Sequence, residues 1–225
     1  IFSKMKSEKI IFTFAIIFLV ITIILLPLRS LVFNERFYHS QFEKNNVYET
    51  VEAQISEADS ASEAEPLIEP ELVLENLINF FKGKESLNYF SETEQSHLED
   101  VRVLFNKFFF VLNSAIAIFI ALIITLFYLN KKEFKTNFLK IIFLSGLSSF
   151  ALLILLFLAT INFSATFDSF HKIFFSQGNY LFSKQSLLIR MFPETFFFKA
   201  ALRIFLDSLF SSIILMGLFF LSKKK

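Results

Sequence analysis

The sequence contains no cysteine and no tryptophan, and only three histidines, four glycines and four prolines. Without cysteine there is no disulfide, no thiolate nucleophile and no cysteine-ligated zinc. Without tryptophan, any aromatic belt at a membrane surface falls to phenylalanine and tyrosine. The glycines form neither a P-loop nor a Rossmann fingerprint, and "HLEDV" from His97 to Val101 is not the H-E-x-x-H of a zinc protease. "SGLSS" (Ser145–Ser149) lacks the final glycine of a nucleophile elbow and lies inside an apolar run. His39, His97 and His171 are too scattered for spacing to indicate a metal. No basic patch with interleaved aromatics faces a nucleic acid. The residues therefore indicate no cofactor, no metal and no nucleic-acid partner.

What the chain has is phenylalanine, 35 of its 225 residues, within an overall apolar content of 54%. Soluble domains hold about 45–50% apolar residues and lack runs of 20 or more. Here four runs are long enough to span hydrocarbon as helices: about 10–28, 108–129, 138–161 and 200–221. The first has a basic prefix (Lys4, Lys6, Lys9), as a signal peptide would. It is long for one, and "LLPLRSLVF" after it has no small-x-small cleavage pattern, so it reads as an uncleaved anchor. Because the chain opens with isoleucine, its start is either upstream or at Met5. The expected fold is all-α: a polytopic four-helix membrane bundle.

Lysine and arginine near span ends set orientation. The N-terminal tail, the short link with Lys131, Lys132, Lys135 and Lys140, and the tail Lys223–Lys225 are all basic. That places both termini in the cytoplasm, with two extracytoplasmic segments, 29–107 and 162–199. The first carries 16 of the 21 acids and reads as helical, with an acidic, Ser- and Ala-rich excursion from Glu49 to Glu75. Within it, "LVLENLINFF" (Leu72–Phe81) has helical spacing that "KGKES" breaks. The second is rich in phenylalanine and reads as an interfacial or re-entrant loop, with Gly178 and Pro193 allowing it to turn in and return.

Within "LNYFSETEQSHLEDVRVLF", Ser91 and Glu94 have capping-box spacing, and no breaker follows until the second span ends near Leu129. His97 is thus expected on a rigid helix just outside the membrane. Asp100 follows His97 by three residues, and Asp168 precedes His171 by three. Side chains so spaced share a helix face, and a carboxylate there can fix an imidazole tautomer. On the residues alone, either histidine also fits a satisfied surface position. His39, in "FYHSQF", has only a following serine and an aromatic setting. In the fourth span, Lys199, Arg203 and Asp207 form one stripe. It is either an internal Arg–Asp pair with a snorkelling lysine or a site for a lipid or carboxylate.

The two motifs "FSETEQSHLEDVRVLF" and "FHKIFFSQGNYLF…LLIRMFPETFF" resemble the bacterial lipoprotein intramolecular transacylase (Lit) family. The resemblance covers the four-span layout and both motifs, but not the acidic excursion. The chain departs from the family pattern at Tyr180, where tryptophan is commoner, and at Ser186, near which an acid is usual. The resemblance implies an acyltransferase of the bacterial cell membrane, active on its outer side. It would move the sn-2 acyl chain of an S-diacylglyceryl-cysteine to that cysteine's own α-amino group, giving a lyso-form lipoprotein. The implied partners are membrane lipids and diacylglyceryl-modified lipoproteins. The family's histidines fall on His97 and His171, and Asp100 lies in the shared pattern. His97 is expected as base, oriented by Asp100, and His171 as acid or oxyanion stabiliser. Expected supporting or substrate-binding residues are Asp168, Glu94, Arg102, Tyr180, Phe182, Arg190 and Arg203. The readings that compete are a non-enzymatic membrane sensor or assembly module, and another extracytoplasmic membrane hydrolase or acyltransferase.

Overall fold

A segment in hydrocarbon has no water to answer its amides, so each apolar run must close its hydrogen bonds within a helix. The computed structural model, which describes residues 2–51, 69–175 and 178–223, is helical at each of the four runs. In chain order the helices are α1 (Phe2–Val32), α2 (Glu35–Lys44), α3 (Pro70–Phe81), α4 (Glu92–Leu129), α5 (Phe134–Ala159), α6 (Phe163–Phe174), α7 (Leu187–Met191) and α8 (Glu194–Lys223). Helices α1, α4, α5 and α8 are long and apolar enough to cross a membrane. Most of the Glu49–Glu75 excursion, residues 52–68, lies outside the described residues.

The chain divides into two compact units. One, the membrane unit, comprises Ile1–Ser30, Asn106–Ile161 and Leu202–Lys225. The other, the site unit, comprises Leu31–Phe105 and Asn162–Ala201.

The membrane unit turns large apolar side chains such as Ile120, Leu155 and Phe210 outward, where lipid would meet them. Its interior holds small polar residues beside apolar ones: Ser145, Ser149, Ser208 and Ser212 are fully buried, as are Leu112, Leu126 and Ile141. Helices that cannot gain from expelling water associate by close packing, which small residues permit. A Cβ on Gly146 would stand 2.8 Å from the Ser212 carbonyl oxygen, closer than such atoms come. The "SGLSS" stretch is therefore where α5 and α8 touch backbone to backbone. Pro27 sits inside α1 and has no amide to give the carbonyl one turn back, that of Ile23. The Ser208 hydroxyl donates to that oxygen at 3.2 Å. A helix-breaking residue is thus tolerated because a neighbouring helix supplies the missing donor.

The site unit has a core like that of a soluble protein. Phe42 of α2, Val73, Leu74 and Ile78 of α3, Leu98 of α4, Met191 of α7 and Phe196 of α8 are buried in one cluster. Helix α3 ends where "KGKES" reverses the chain. Gly83 takes a positive φ of 72°, and its amide donates to the Phe80 carbonyl. The buried Asn76 amide then donates to the Ser86 carbonyl and accepts from the Asn88 amide, fixing the turn.

Helix α4 begins as its capping box requires. The Glu94 amide donates to Ser91 Oγ at 3.4 Å, and the Ser91 amide donates to Glu94 Oε2 at 2.9 Å. Glu94 is also buried, and its other oxygen accepts from the Leu188 amide at 2.8 Å. Leu188 lies in the first turn of α7, where free amides attract negative charge. One carboxylate therefore fastens the start of α4 to a segment about ninety residues further on.

Two outcomes follow from these contacts. Ser208→Ala should lower stability in detergent or bicelles by about 1 kcal/mol. In a Pro27→Ala background the loss should vanish, because the amide restored at position 27 then serves the Ile23 carbonyl. Equal losses in both backgrounds would show that Ser208 does not answer that carbonyl. Glu94→Ala strands a buried donor, which costs about 1–3 kcal/mol. Hydrogen exchange at the Leu188 amide should then accelerate, and unchanged protection would remove Glu94 as the fastener.

Candidate active site

The first sixteen residues of α4, 92–107, carry Glu92, Glu94, Glu99, Asp100, Arg102 and Lys107, and the apolar run starts only at Phe108. His97 stands on this polar part, about three turns before the apolar run. It follows Glu94 by three residues, so both occupy the face of α4 that is buried in the site unit. His97 is 6% exposed.

His171 arrives on α6. Asn162 caps that helix by accepting from the Ala165 amide at 3.2 Å. Helix α6 buries none of its residues fully, so its position rests on partial contacts made by one face. His171 lies in its last turn, with Nδ1 2.8 Å from the Phe167 carbonyl oxygen. A carbonyl only accepts, so Nδ1 carries a proton and donates it, which leaves Nε2 to bind or release the next one.

The two imidazoles meet. Their ring centroids are 6.1 Å apart and their planes differ by 22°. Phenylalanine and tyrosine wall them in. Phe175 is buried and packs edge-on to His97 at 4.7 Å and against His171 at 5.5 Å. Phe182 lies 5.5 Å from His97, while Tyr180 and Phe167 lie 5.1 and 4.3 Å from His171. Burial among these rings, together with the charge that His171 would carry, lowers the His97 pKa to about 4. The Asp100 charge and the nearby Asn179 side chain oppose that shift in part. Near neutral pH His97 is thus a neutral base.

The carboxylates behave differently from the expectation. Asp168 does not orient His171: it is exposed and binds Lys172 one turn on, Oδ2 to Nζ at 2.6 Å. An exposed acid beside a lysine at i+4 has an ammonium to pair with, and His171 already spends Nδ1 on the backbone. Asp100 does not touch His97 directly either. Its Oδ2 accepts from Asn179 Nδ2 at 2.7 Å. The Asn179 side chain was not among the residues the sequence singled out; the only signal was its place after Gly178, whose φ of 77° turns the chain there.

The other expected residues fall around this centre or away from it. Glu94 holds the helix start in place. Arg102 lies over the Phe80 ring at 4.3 Å and pairs with Glu99, packing α4 on α3. Arg190 is half-buried in the last turn of α7. Arg203 pairs with Asp207 of the same helix at 2.9 Å, so the α8 stripe is an internal pair, and Lys199 lies over the Phe198 ring. His39 bonds Tyr48 Oη at 3.1 Å and makes no ring contact with the other two histidines among the described residues. Among the described residues no three His, Cys, Asp or Glu side chains cluster as metal ligands would. A cavity of about 380 Å³ opens beside Asn179, between Ser96 and Thr93 on one side and Leu181 and Phe182 on the other.

Such a centre, two close histidines inside aromatic walls, can take a proton from one group and return it to another without bulk water. Comparison with known proteins agrees with the two motifs. The family model described as "Lipoprotein intramolecular transacylase Lit" matches residues 13–197. No curated protein sequence matches the chain. Among solved structures, the in meso structure of the membrane integral lipoprotein intramolecular transacylase Lit from Bacillus cereus is similar at a TM-score of 0.80 and 24% identity, over 97% of both chains. Two structures of that protein with one histidine replaced, by arginine or by alanine, match at a TM-score of 0.75 and 22% identity. They cover 99% of this chain and 95% and 97% of theirs. Likeness at these identities is likeness of fold, while the sequence match over residues 13–197 carries the kinship. This chain belongs to the lipoprotein intramolecular transacylase (Lit) family.

Proposed function

We propose that the protein moves the sn-2 acyl chain of a lipoprotein's S-diacylglyceryl-cysteine to the α-amino group of the same cysteine. The observation that carries the mechanism is the pair of imidazoles 6.1 Å apart within aromatic walls. The reaction needs one proton removed and one supplied. The amine lone pair attacks the ester carbonyl, and a tetrahedral intermediate forms. The nitrogen then loses a proton, the carbonyl carbon–oxygen bond to glycerol breaks, and the leaving sn-2 oxygen gains a proton. Amide and alcohol result, and no external acyl donor is used.

His97 is the base. Its low proton affinity keeps it neutral and ready, and makes its imidazolium a strong acid once formed. Two rings at this distance do not both hold a positive charge comfortably, so a proton gained by one favours release from the other. His171, with Nδ1 held by the Phe167 carbonyl, presents Nε2 to stabilise the oxyanion or protonate the leaving oxygen. Phe175, Phe182 and Tyr180 keep water from hydrolysing the ester. Because donor and acceptor belong to one molecule, holding them close supplies much of the rate.

This chemistry belongs at the outer membrane–water boundary, where the ester and the amine of such a lipoprotein lie. The basic N-terminal tail, the lysine-rich link and the basic C-terminus favour an arrangement with both termini in the cytoplasm. That arrangement puts segments 29–107 and 162–199, and with them His97 and His171, on the outer side.

Produced in a strain that makes diacylated lipoproteins, the protein should convert their N-terminal lipopeptides to the N-acylated, S-monoacylglyceryl form in mass spectra. His97→Ala and His171→Ala should each cut conversion about 10²-fold or more at unchanged expression; full conversion by either variant removes that histidine from the mechanism. Since the chain has no cysteine, single introduced cysteines report topology cleanly. One at Glu99 should react with an impermeant maleimide in intact cells and one at Glu133 should not. The reverse pattern overturns the orientation.

A further inference from the structure

Two polar atoms at the heart of the site are buried and have no hydrogen-bond partner among the described residues: His97 Nδ1 and Asn179 Oδ1. They belong to side chains already tied to one another's surroundings. Asn179 Nδ2 donates to Asp100 Oδ2 at 2.7 Å, one turn beyond His97, and lies 3.4 Å from the hydroxyl of Ser96, the residue just before it. A carboxylate only accepts, so the nitrogen of the Asn179 amide must be the atom facing Asp100, and its carbonyl oxygen is left for the remaining neighbour. Asn179 is near enough to act on the His97 imidazole; two buried acceptors there would repel, whereas a donor and an acceptor satisfy each other. The imidazole can be that donor only by carrying its proton on Nδ1.

We propose that Asn179 is a positioning residue that holds His97 in the Nδ1–H tautomer, with Asp100 acting on His97 through the Asn179 amide. The proposed relay runs from the Asp100 carboxylate, through the Asn179 amide bonded to it, to His97 Nδ1–H. It leaves the His97 lone pair on Nε2. His171 reaches the same state by a different route, through the Phe167 carbonyl. Both histidines then present Nε2 as the atom that exchanges protons. An amide suits this place better than a carboxylate. It fixes the tautomer without placing a full negative charge on the ring, so His97 stays neutral. Gly178, with its positive φ, delivers Asn179 to this position at the turn after α6.

In the activity arm this inference rests on the reading of His97 as the base; the spectroscopic arm does not. The full chain in nanodiscs, with ¹⁵N-labelled histidine, is examined by long-range ¹H–¹⁵N correlation. His97→Gln and His171→Gln samples assign the signals. Wild-type His97 should show a protonated Nδ1 and an unprotonated Nε2 at neutral pH. Asn179→Leu, which keeps the volume and removes the acceptor, should give a mixed or Nε2–H signal for His97 while His171 is unchanged. An Nε2–H signal in the wild type, or a His97 signal unmoved by Asn179→Leu, overturns the proposal whatever the enzyme does.

In transacylation, Asn179→Leu should lower kcat about 10²-fold with little change in KM. Asn179→Asp keeps an acceptor and so should retain more activity. Its charge favours the imidazolium, so the acid limb of its rate profile should move to higher pH. The titratable groups against this face, Asp100 on α4, His171 on α6 and Tyr180 on the loop, are the same in all three proteins. Equal kcat and an unshifted limb in Asn179→Leu and Asn179→Asp would make Asn179 a packing residue only.

Discussion

A buried carboxylate must be answered at both oxygens, and Glu94 is answered from two distant parts of the chain. Ser91 gives one oxygen its amide and hydroxyl, and Leu188 gives the other its amide. The capping box would have started α4 without help. What the capping box alone could not do is set where α4 stands against the Phe-rich segment. That register decides whether His97, one turn beyond Glu94, faces the aromatic walls or solvent. A single hydrogen-bonded acid thus links helix initiation, tertiary docking and the placement of His97.

Around the histidines, electrostatics follows from packing. Phenylalanine offers no hydrogen bond to a cation, so the walls that exclude water also hold His97 neutral. The polar partners are few and each has a definite direction. The Phe167 carbonyl takes the proton of His171 Nδ1. The Asn179 amide donates to Asp100. In this way two imidazoles share a space that disfavours a positive charge on His97.

The membrane unit meets the same requirement, that no buried polar group be left alone, with different means. Ser208 serves the carbonyl that Pro27 orphans, and Gly146 lets two backbones approach. Small residues in "SGLSS", which lack the pattern of a nucleophile elbow, turn out to be the packing surface of α5 on α8. In the site unit, large apolar side chains such as Phe42 and Met191 are fully buried, as in a water-soluble domain.

The number and rough extent of the long helices were written in hydropathy, because helical closure is the only local solution for an apolar run in lipid. The start of α4 was written in Ser91 and Glu94, because a capping box involves neighbours three residues apart. The family was legible from "SHLEDV" and "FHKIFF" taken together. Pairings across the chain were not. Asp168 stands three residues from His171, yet it binds Lys172; sequence spacing names the faces that coincide, not which of two partners wins. Asn179 carried no pattern that marked it, because its role exists only once a turn at Gly178 brings it over α4. The sequence by itself determined the helices and the residue types at the site, since these depend on contacts within a few turns. Only the tertiary structure decided that His97 and His171 share one enclosure, because that depends on a hydrogen bond between residues 94 and 188 and on a phenylalanine wall assembled from separate segments.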